Sequence, residues 1–282
     1  ERRMTPLTTT NVALCLDENY VEPARTLIES MRAHHAAGQL AIWLLHEDLS
    51  PQSLQRFEAQ CAGWAKVQAV AIDVDLAPYF GAGDQWLPYQ NKSVLYRILL
   101  PNLLLTRGVE RVLYVDCDIL CVGSLTVTVD ISLDGATLGA VQDAFTPRLS
   151  SDGGIPGFIP ESDEDYFNSG VLLIDTRRWH SHQVEDRALD YLQSVRGSQR
   201  FYDQDALNVV CIGDWIPLDG SFNTMITDPF EADLISALDS SRLVHFVGPH
   251  KPWHSDYYPG NRRTMYELHR AAWRTRDLAT AR

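Results

Sequence analysis

Strand-like and helix-like segments alternate through the first part of the chain, and this alternation restricts the fold more than any other feature. Nearly continuous apolar runs, typical of strands buried on both faces of a parallel sheet, occur at NVALCLD, LAIWLLHED and KVQAVAIDVD. Two segments with helical periodicity separate them, and the second opens with Ser50 and Pro51, a typical N-cap and first helical residue. The order strand, helix, strand, helix, strand predicts an α/β fold with a Rossmann-like sheet.

The rest of the chain predicts that this sheet is mixed but mostly parallel. The segment NKSVLYRILLPNLLL has the composition of a helix interrupted at Pro101. Helices are also predicted near 184–195 and 204–210, and strands at VLYV, ATLGAVQD, FNSGVLLID, DWIPLD and RLVHFVG. Neither G-x-G-x-x-G nor G-x-x-x-x-G-K-S/T occurs in the sequence, so any nucleotide must be held by other groups.

Charge and cysteine content restrict the partners and the compartment. Asp and Glu outnumber Lys and Arg by 37 to 24, and the resulting net charge of -13 argues against a nucleic-acid partner. No apolar run reaches the ~20 residues of a transmembrane segment, and the start ERRMTPLTTT lacks the apolar core of a signal peptide. The cysteines are odd in number and lack metal-ligand spacing, which is typical of buried thiols in a reducing compartment. We therefore expect a cytoplasmic protein.

Acidic residues follow several of the predicted strands, which is where open α/β sheets bind their ligands. These residues are Asp17, Asp116, Asp118, Asp143 and Asp175. If they met at one edge of the sheet they would repel one another, and a bound divalent cation would allow several to stay ionised. For each acid taken singly, a helix N-cap or a solvated loop position is an equally good explanation.

Asp116 and Asp118 carry the strongest indication of a metal site. They lie two residues apart after the apolar run VLYV, so an extended backbone points both carboxylates to one side and Cys117 into the protein. Oxygen ligands of this kind suit Mg²⁺ or Mn²⁺, and an added imidazole favours Mn²⁺. His245, inside the run LVHFVG, is a candidate for that imidazole, although a hydrogen-bonded core histidine is the commoner case.

Gly248 and Lys251 follow His245 closely and have the chemistry of a phosphate site. The backbone N–H of a glycine and the ammonium of a lysine both bind phosphate oxygens. Their position therefore favours a ligand role for His245 over a purely structural one.

Six blocks of the sequence, in order, resemble glycosyltransferase family 8. The blocks are LDENYVEPARTLIESM, YRILLPNLL, VLYVDCDILCVGSL, YFNSGVLLID, YDQDALN and HFVGPHKPWH. This family comprises retaining enzymes of the GT-A fold and includes bacterial lipopolysaccharide galactosyltransferases, glycogenin and galactinol synthases. The resemblance implies a GT-A nucleotide-sugar-binding catalytic domain over 1–254, with 255–282 as a short helical extension of the same domain.

The resemblance also implies roles for individual residues. Asp116, Asp118 and His245 match the Mn²⁺ ligands, which also hold the diphosphate of a UDP-sugar. The other donor-binding positions, covering uridine, diphosphate and sugar hydroxyls, are Asp17, Asn19, Tyr20, Arg97, Cys117, Asn168, Gly248 and Lys251. The predicted catalytic residues are Gln204, which matches the position beneath the anomeric carbon, together with Asp203 and Asp143.

This assignment implies transfer of a hexose from UDP-glucose or UDP-galactose to a hydroxyl acceptor. Double displacement needs a carboxylate nucleophile under the sugar, and Gln204 is a poor nucleophile. We therefore expect front-face transfer, with Asp203 as the alternative nucleophile. Val247 and the segment WLPYQNKS depart from the pattern of bacterial members, so we expect a different acceptor, such as a saccharide, a glycolipid or a small natural product.

Other interpretations of the same residues remain open. VLYVDCDIL also resembles the nucleophile strand of haloacid-dehalogenase-type phosphatases, but Leu120 stands where that family has a small polar residue. A non-catalytic nucleotide-sugar binder and a self-glucosylating protein similar to glycogenin are further alternatives. At the carboxyl terminus, basic residues alternate with Tyr266, Leu268 and Trp273, which indicates a packed terminal helix or a weak peripheral membrane contact.

Overall fold

Ten strands form two sheets in the structure, a computed structural model that describes residues 9–80, 92–198, 200–226 and 239–280. The strands are β1 Thr10–Cys15, β2 Leu40–His46, β3 Lys66–Ala71, β4 Arg111–Val115, β5 Ile119–Cys121, β6 Leu138–Gln142, β7 Phe167–Asp175, β8 Trp215–Pro217, β9 Thr224–Ile226 and β10 Leu243–Phe246. The larger sheet has the order β3-β2-β1-β4-β7-β6-β8, and the smaller one the order β5-β10-β9.

The larger sheet is mixed and mostly parallel, as the sequence predicts. Strands β1 to β4 run parallel to one another, and β8 runs parallel to β6. Among the described strands of this sheet, only β7 is reversed, and it is antiparallel to both β4 and β6. The residues that open β7 therefore lie beside the ends of β4 and β6.

Helices cover both faces of this sheet. They are α1 Val21–His34, α2 Pro51–Cys61, α3 Tyr96–Leu105, α4 Thr176–Ser181, α5 Val184–Ser194, α6 Asp203–Val210 and α7 Asn261–Thr280. Successive residues of β1 enter different cores, with Ala13 packing beneath α3, α5 and α6 and Val12 packing beneath α1 and α2. Burial on both faces explains why the strand is apolar at nearly every position.

The predicted start of α2 is confirmed, and the predicted interruption at Pro101 is wrong. Ser50 Oγ accepts a hydrogen bond from Ser53 N at 3.2 Å, and Pro51 is the first helical residue. Helix α3 continues through Pro101 although a proline there lacks a backbone N–H. Its neighbours Leu100 and Leu104 are fully buried in the core, and this packing outweighs the missing hydrogen bond.

The two sheets meet at the segment between β4 and β5. The chain leaves the larger sheet after Val115 and enters the smaller one at Ile119, so the three residues Asp116, Cys117 and Asp118 form the junction. Strand β10 pairs with β5 in antiparallel register, which sets His245 opposite Ile119. The junction thereby places both aspartates beside His245.

Helix α7 packs against α1 through its aromatic and charged side chains. Tyr266 and Trp273 are buried, and the Trp273 ring lies 4.1 Å from the Arg25 guanidinium carbon. Arg25 also forms an ion pair with Asp277 at 2.7 Å. Among the described residues, no helix combines the length and apolar composition needed to cross a membrane. The structure thus favours the packed-helix interpretation of this segment, because its aromatic residues face the protein.

Replacing Trp273 by alanine is expected to destabilise the protein by about 3 kcal/mol. The change removes a buried ring, its contact with Arg25 and the hydrogen bond from Trp273 Nε1 to Thr26 Oγ1 at 3.0 Å. Urea denaturation measures the loss. Leu278→Ala, on the same helix but 70% exposed, is the matched control and is expected to change stability by less than about 0.5 kcal/mol. Equal midpoints for the two variants would contradict the packing described for α7.

Candidate functional site

Three of the predicted site acids follow strands that end at one edge of the larger sheet. Asp17, Asp116 and Asp143 lie just beyond β1, β4 and β6. Because β7 runs antiparallel to β4 and β6, it brings its opening residues to the same edge, and Asp116 N donates to Gly170 O at 2.8 Å. The carboxyl edge of the sheet is therefore a polar site, as the topology of an open α/β sheet predicts.

Asp175 does not belong to this site, and the prediction that placed it there is wrong. It closes β7 and pairs with Arg111, the first residue of β4. Asp175 therefore lies at the opposite edge of the sheet, where its Oδ1 accepts from Arg178 N at 2.9 Å and caps α4. The N-cap explanation holds for this acid.

Asp116, Asp118 and His245, here called the carboxylate–histidine cluster, have the geometry of a cation site. One ligand atom from each residue lies within 4.8 Å of the others. Asp118 Oδ1 is buried and accepts no hydrogen bond from the described part of the chain, yet it lies 3.2 Å from His245 Nε2. Two carboxylates and an imidazole that converge in this way fit a divalent cation.

Lys251 and Arg97 balance the negative charge of the cluster from two sides. Lys251 Nζ lies 2.5 Å from Asp118 Oδ2, and an Arg97 nitrogen lies 2.9 Å from Asp116 Oδ1. Burial alone would raise the pKa of Asp118, but Lys251 and then His245 hold that pKa well below its usual range. The pKa of Asp116 is raised, chiefly by burial, although Arg97 acts in the opposite direction. The two carboxylates therefore have different environments.

A second group of polar side chains adjoins the cluster and is here called the amide network. Its members are Asp143, Asn168, Ser169, Asp203 and Gln204. Asp143 Oδ2 accepts from Asn168 Nδ2 at 3.0 Å and from Gln204 Nε2 at 3.1 Å. Gln204 Oε1 accepts from Ser169 N at 3.0 Å. Since a backbone N–H only donates, this contact fixes the orientation of the Gln204 amide.

Arg97 connects the carboxylate–histidine cluster to the amide network. Its guanidinium contacts Asp116 on one side, and its Nε lies 3.1 Å from Asp203 Oδ2 on the other. Ser169 Oγ donates to the same Asp203 oxygen at 2.9 Å. Burial raises the pKa of Asp203 to about 6 despite these contacts.

An unusual backbone conformation at Tyr202 precedes the two predicted catalytic residues of α6. Its φ of 40° and ψ of -106° are rare for a residue with a side chain. The Tyr202 ring is buried and packs against Phe80, with ring centroids 5.5 Å apart. This turn starts α6 so that Asp203 and Gln204 occupy its first two positions, beside Ser169.

The predicted uridine-binding residues lie on the loop after β1. Asp17 Oδ1 accepts from Asn19 N at 3.0 Å and from Tyr20 N at 3.1 Å, so its carboxylate shapes this turn. Burial, and to a smaller extent the negative charge of Asp118, raises the pKa of the Tyr20 hydroxyl. The Tyr20 ring meets Trp253 edge-on, with centroids 6.0 Å apart. Tyr20 and Trp253 thus form an aromatic pair beside the turn that Asp17 caps.

The remaining predicted donor-binding residues differ in how they face the site. Gly248 is exposed with a φ of 86°, a conformation that favours glycine, and Lys251 reaches back to Asp118 from the same loop. The Cys117 thiol, in contrast, is buried and donates to Cys15 O at 3.5 Å, with burial raising the pKa of the thiol. The Cys117 side chain therefore points away from the site, and any contact it makes with a ligand is through its backbone. Most of the segment WLPYQNKS lies outside the described residues.

Three residues at the site were missed by reasoning from the sequence. Ser169 contacts Arg97, Asp203 and Gln204, and the Tyr114 hydroxyl donates to Asp116. Asn223 lies 3.0 Å from His245 Nδ1 and comes from a stretch without a motif. Ser169 and Tyr114 sit inside blocks already recognised, so their polarity in a buried strand was an available signal. Nothing in the local sequence marks Asn223.

Comparison with known proteins identifies the family. The model of the family described as "Glycosyl transferase family 8" matches residues 11–257. Lipopolysaccharide 1,3-galactosyltransferase of Salmonella typhimurium is 25% identical over 274 residues, covering 93% of this chain and 79% of the relative. Lipopolysaccharide 1,2-glucosyltransferase of Escherichia coli K12 is 26% identical over 283 residues, covering 94% and 79%.

A solved structure shows that the fold is shared. The galactosyltransferase LgtC, in complex with donor and acceptor sugar analogues, superposes with a TM-score of 0.72 at 23% identity, covering 92% of this chain and 95% of that chain. The mixed sheet with its flanking helices is thus the GT-A fold expected from the sequence. Because the family model covers most of the residues, from β1 to the loop before α7, this chain belongs to glycosyl transferase family 8.

Proposed function

We propose that the protein is a metal-dependent retaining glycosyltransferase that moves a hexose from a UDP-sugar to a hydroxyl acceptor. The observation that carries this proposal is the contact between two unlike groups at one sheet edge. The carboxylate–histidine cluster has the chemistry to hold a cation and a diphosphate, and the amide network beside it has the chemistry to hold sugar hydroxyls. Arg97 joins them, so a ligand that spans both would have its glycosyl-phosphate bond between them.

The metal ligands in this proposal are Asp116, Asp118 and His245. Two carboxylates and one imidazole favour Mn²⁺, and Mg²⁺ is also compatible with the oxygen ligands. When bound, the cation would stabilise negative charge on the departing diphosphate as a Lewis acid. Asp118 Oδ1 is buried and accepts no hydrogen bond from the described residues, so its lone pairs are available to the cation.

Lys251 and the loop around it supply the diphosphate contacts. The Lys251 ammonium is buried beside Asp118, so it carries its positive charge next to the proposed cation site. The exposed backbone at Gly248 leaves room for a phosphate oxygen to approach its N–H. We assign the uridine to Asp17, Asn19 and Tyr20, because they form the turn that follows β1 at the polar edge of the sheet and the Tyr20 ring offers an aromatic face for stacking.

The amide network would orient the donor sugar. Asp143, Asn168 and Asp203 are buried, and their amide and carboxylate groups match the donors and acceptors of sugar hydroxyls. Gln204 presents a neutral amide held by Ser169 N and Asp143. A neutral, fixed dipole can stabilise positive charge near the anomeric carbon without forming a covalent bond.

Front-face transfer fits these residues better than double displacement. The bond from the anomeric carbon to the diphosphate oxygen breaks, and its electron pair stays on that oxygen. The acceptor hydroxyl oxygen bonds to the anomeric carbon on the same face, and its proton passes to the departing phosphate oxygen. Asp203 is ill-suited as a nucleophile because Arg97 and Ser169 already occupy its Oδ2. Glucose or galactose is the proposed hexose, and the acceptor is a hydroxyl-bearing saccharide, glycolipid or small molecule.

We place the reaction in the cytoplasm, without nucleic acid as a partner. All five cysteines lie within the described residues and are buried and free, which fits a reducing compartment. Basic residues of α7 pair with acids of α1, including Arg274 with Glu22 at 2.9 Å, so little of this positive charge is left for a phosphate backbone or a lipid surface.

The direct test is a donor screen with Mn²⁺ that measures release of UDP. UDP-glucose or UDP-galactose is expected to be hydrolysed slowly without acceptor, and EDTA is expected to stop the reaction. UDP-N-acetylglucosamine and UDP-xylose serve as comparison donors. Tight binding without UDP release would instead indicate a nucleotide-sugar binder, and a mass gain of one hexose on the protein would indicate self-glucosylation. If no donor is consumed and UDP does not shift the melting temperature, the proposed function is wrong.

Asp118→Asn is expected to lower metal-dependent turnover by about 100-fold or more, because it removes a charged ligand from the cation. Initial rates of UDP release at saturating Mn²⁺ measure the effect. Asp175→Asn is the matched control, since Asp175 caps α4 at the opposite edge and asparagine is an equally good N-cap. Comparable losses in both variants would argue against a metal role for Asp118.

Gln204→Ala is expected to reduce kcat by about 100-fold, in the range seen when one oriented dipole is removed near a reacting centre. Intact-mass spectrometry of the wild type and of Asp203→Asn with UDP-glucose and UDP-galactose is expected to show no covalent sugar. Unchanged turnover in Gln204→Ala would refute the role given to this amide. A sugar adduct that is absent from the wild type, is trapped in Asp203→Asn and maps to a carboxylate of the site would show double displacement instead.

A further inference from the structure

Asn223, a buried residue without a role in the proposed reaction, contacts both parts of the site. It lies just before β9 and is 1% exposed. Its Oδ1 lies 3.0 Å from Nδ1 of His245, and its Nδ2 donates to Asn168 Oδ1 at 2.8 Å. Asn223 therefore joins the carboxylate–histidine cluster to the amide network by a second route, separate from Arg97.

The orientation of the Asn168 amide follows from two neighbours, one of which can only donate a hydrogen bond and the other only accept one. Gly170 N donates to Asn168 Oδ1 at 2.9 Å, and a backbone N–H cannot accept. On the other side of the amide, Asn168 Nδ2 donates to the Asp143 carboxylate at 3.0 Å. Asn168 Oδ1 is thus the acceptor end, and the group of Asn223 that faces it must be the NH₂.

This orientation determines which nitrogen of His245 carries the proton. With its NH₂ turned to Asn168, Asn223 presents a carbonyl oxygen to His245 Nδ1, and that oxygen can only accept. His245 Nδ1 must then be the protonated nitrogen. When the imidazole is neutral, its Nε2 lone pair faces Asp118 Oδ1 at 3.2 Å, where two acceptor atoms repel each other unless a cation or a proton lies between them.

Gly170 restricts the position of the same ring. A Cβ at residue 170 would overlap the His245 ring and would lie 3.0 Å from Asn168 Oδ1. The ring therefore packs directly on the backbone of β7, and a side chain there would push it out of place. Packing at Gly170 and the hydrogen bond to Asn223 together leave the imidazole one orientation.

We propose that Asn223 is a positioning residue that holds His245 with Nδ1 protonated, so that Nε2 is presented to a divalent cation shared with Asp116 and Asp118. This inference rests on the proposed function, since it assumes that the cluster binds a metal. Hydrogen bonds from a ligand histidine to an outer group fix its tautomer and strengthen its binding to the metal. The further contact with Asn168 ties the metal ligand to the residues proposed to hold the sugar.

The test measures Mn²⁺ affinity directly, by titration with electron paramagnetic resonance detection of free Mn²⁺. Asn223→Ala is expected to raise the Mn²⁺ dissociation constant about 10- to 100-fold. Asn223→Asp keeps an acceptor opposite His245 Nδ1 and is expected to restore most of the affinity. Asn208→Ala is the matched control: Asn208 is 2% exposed and donates to Phe167 O at 2.9 Å, without contact to His245.

Each outcome of the titration has a defined meaning. Wild-type affinity in a folded Asn223→Ala, or an equal loss in Asn208→Ala, would overturn the role of Asn223 while leaving the metal site in place. A wild-type chain that binds no Mn²⁺ would overturn both this inference and the proposed metal dependence. If Asn223→Ala does not fold, Asn223→Asp decides the question, because a folded aspartate variant with tenfold weaker Mn²⁺ binding contradicts the proposal.

Discussion

The buried guanidinium of Arg97 is the interaction on which the rest of the site depends. Two carboxylates, Asp116 and Asp203, come from different elements and meet inside the protein, where unpaired charges cost several kcal/mol each. Arg97 lies between them and also donates to Ser169 O at 2.9 Å. The positive charge of Arg97 thereby lets β4, β7 and α6 approach closely enough to form a single site. The Tyr114 ring packs against the guanidinium, whose carbon lies 4.8 Å from the ring centroid.

The reversed strand β7 gives the site its second half. A parallel strand would have brought Asp175 to the polar edge, as the sequence pattern suggests. Because β7 is antiparallel, Asn168, Ser169 and Gly170 lie at this edge instead. They provide an amide, a hydroxyl and a backbone segment without a side chain. Neutral hydrogen-bonding groups therefore stand at this edge in place of a further carboxylate. The same reversal allows His245 to pack against β7 without a side chain in the way.

Agreement between sequence and structure is uneven across the site, for physical reasons. Asp116, Asp118 and His245 are predicted because each is a polar residue directly after or within an apolar run, and this pattern is visible locally. Asp175 also ends an apolar run and was wrongly grouped with them, since hydrophobic periodicity does not record strand direction. Asn223 was missed because its contacts with Asn168 and His245 join residues 55 and 22 positions away.

The sequence by itself determined the elements and the chemistry available to them. Apolar runs, helical periodicity and the N-cap at Ser50 are local properties, so they predicted the α/β fold and most of its strands and helices. Only the tertiary structure decided how that chemistry is assembled: the continuity of α3 through Pro101, the direction of β7, and the amide of Asn223 that orients His245. These features depend on packing and hydrogen bonds between distant segments, and no periodicity along the chain records them.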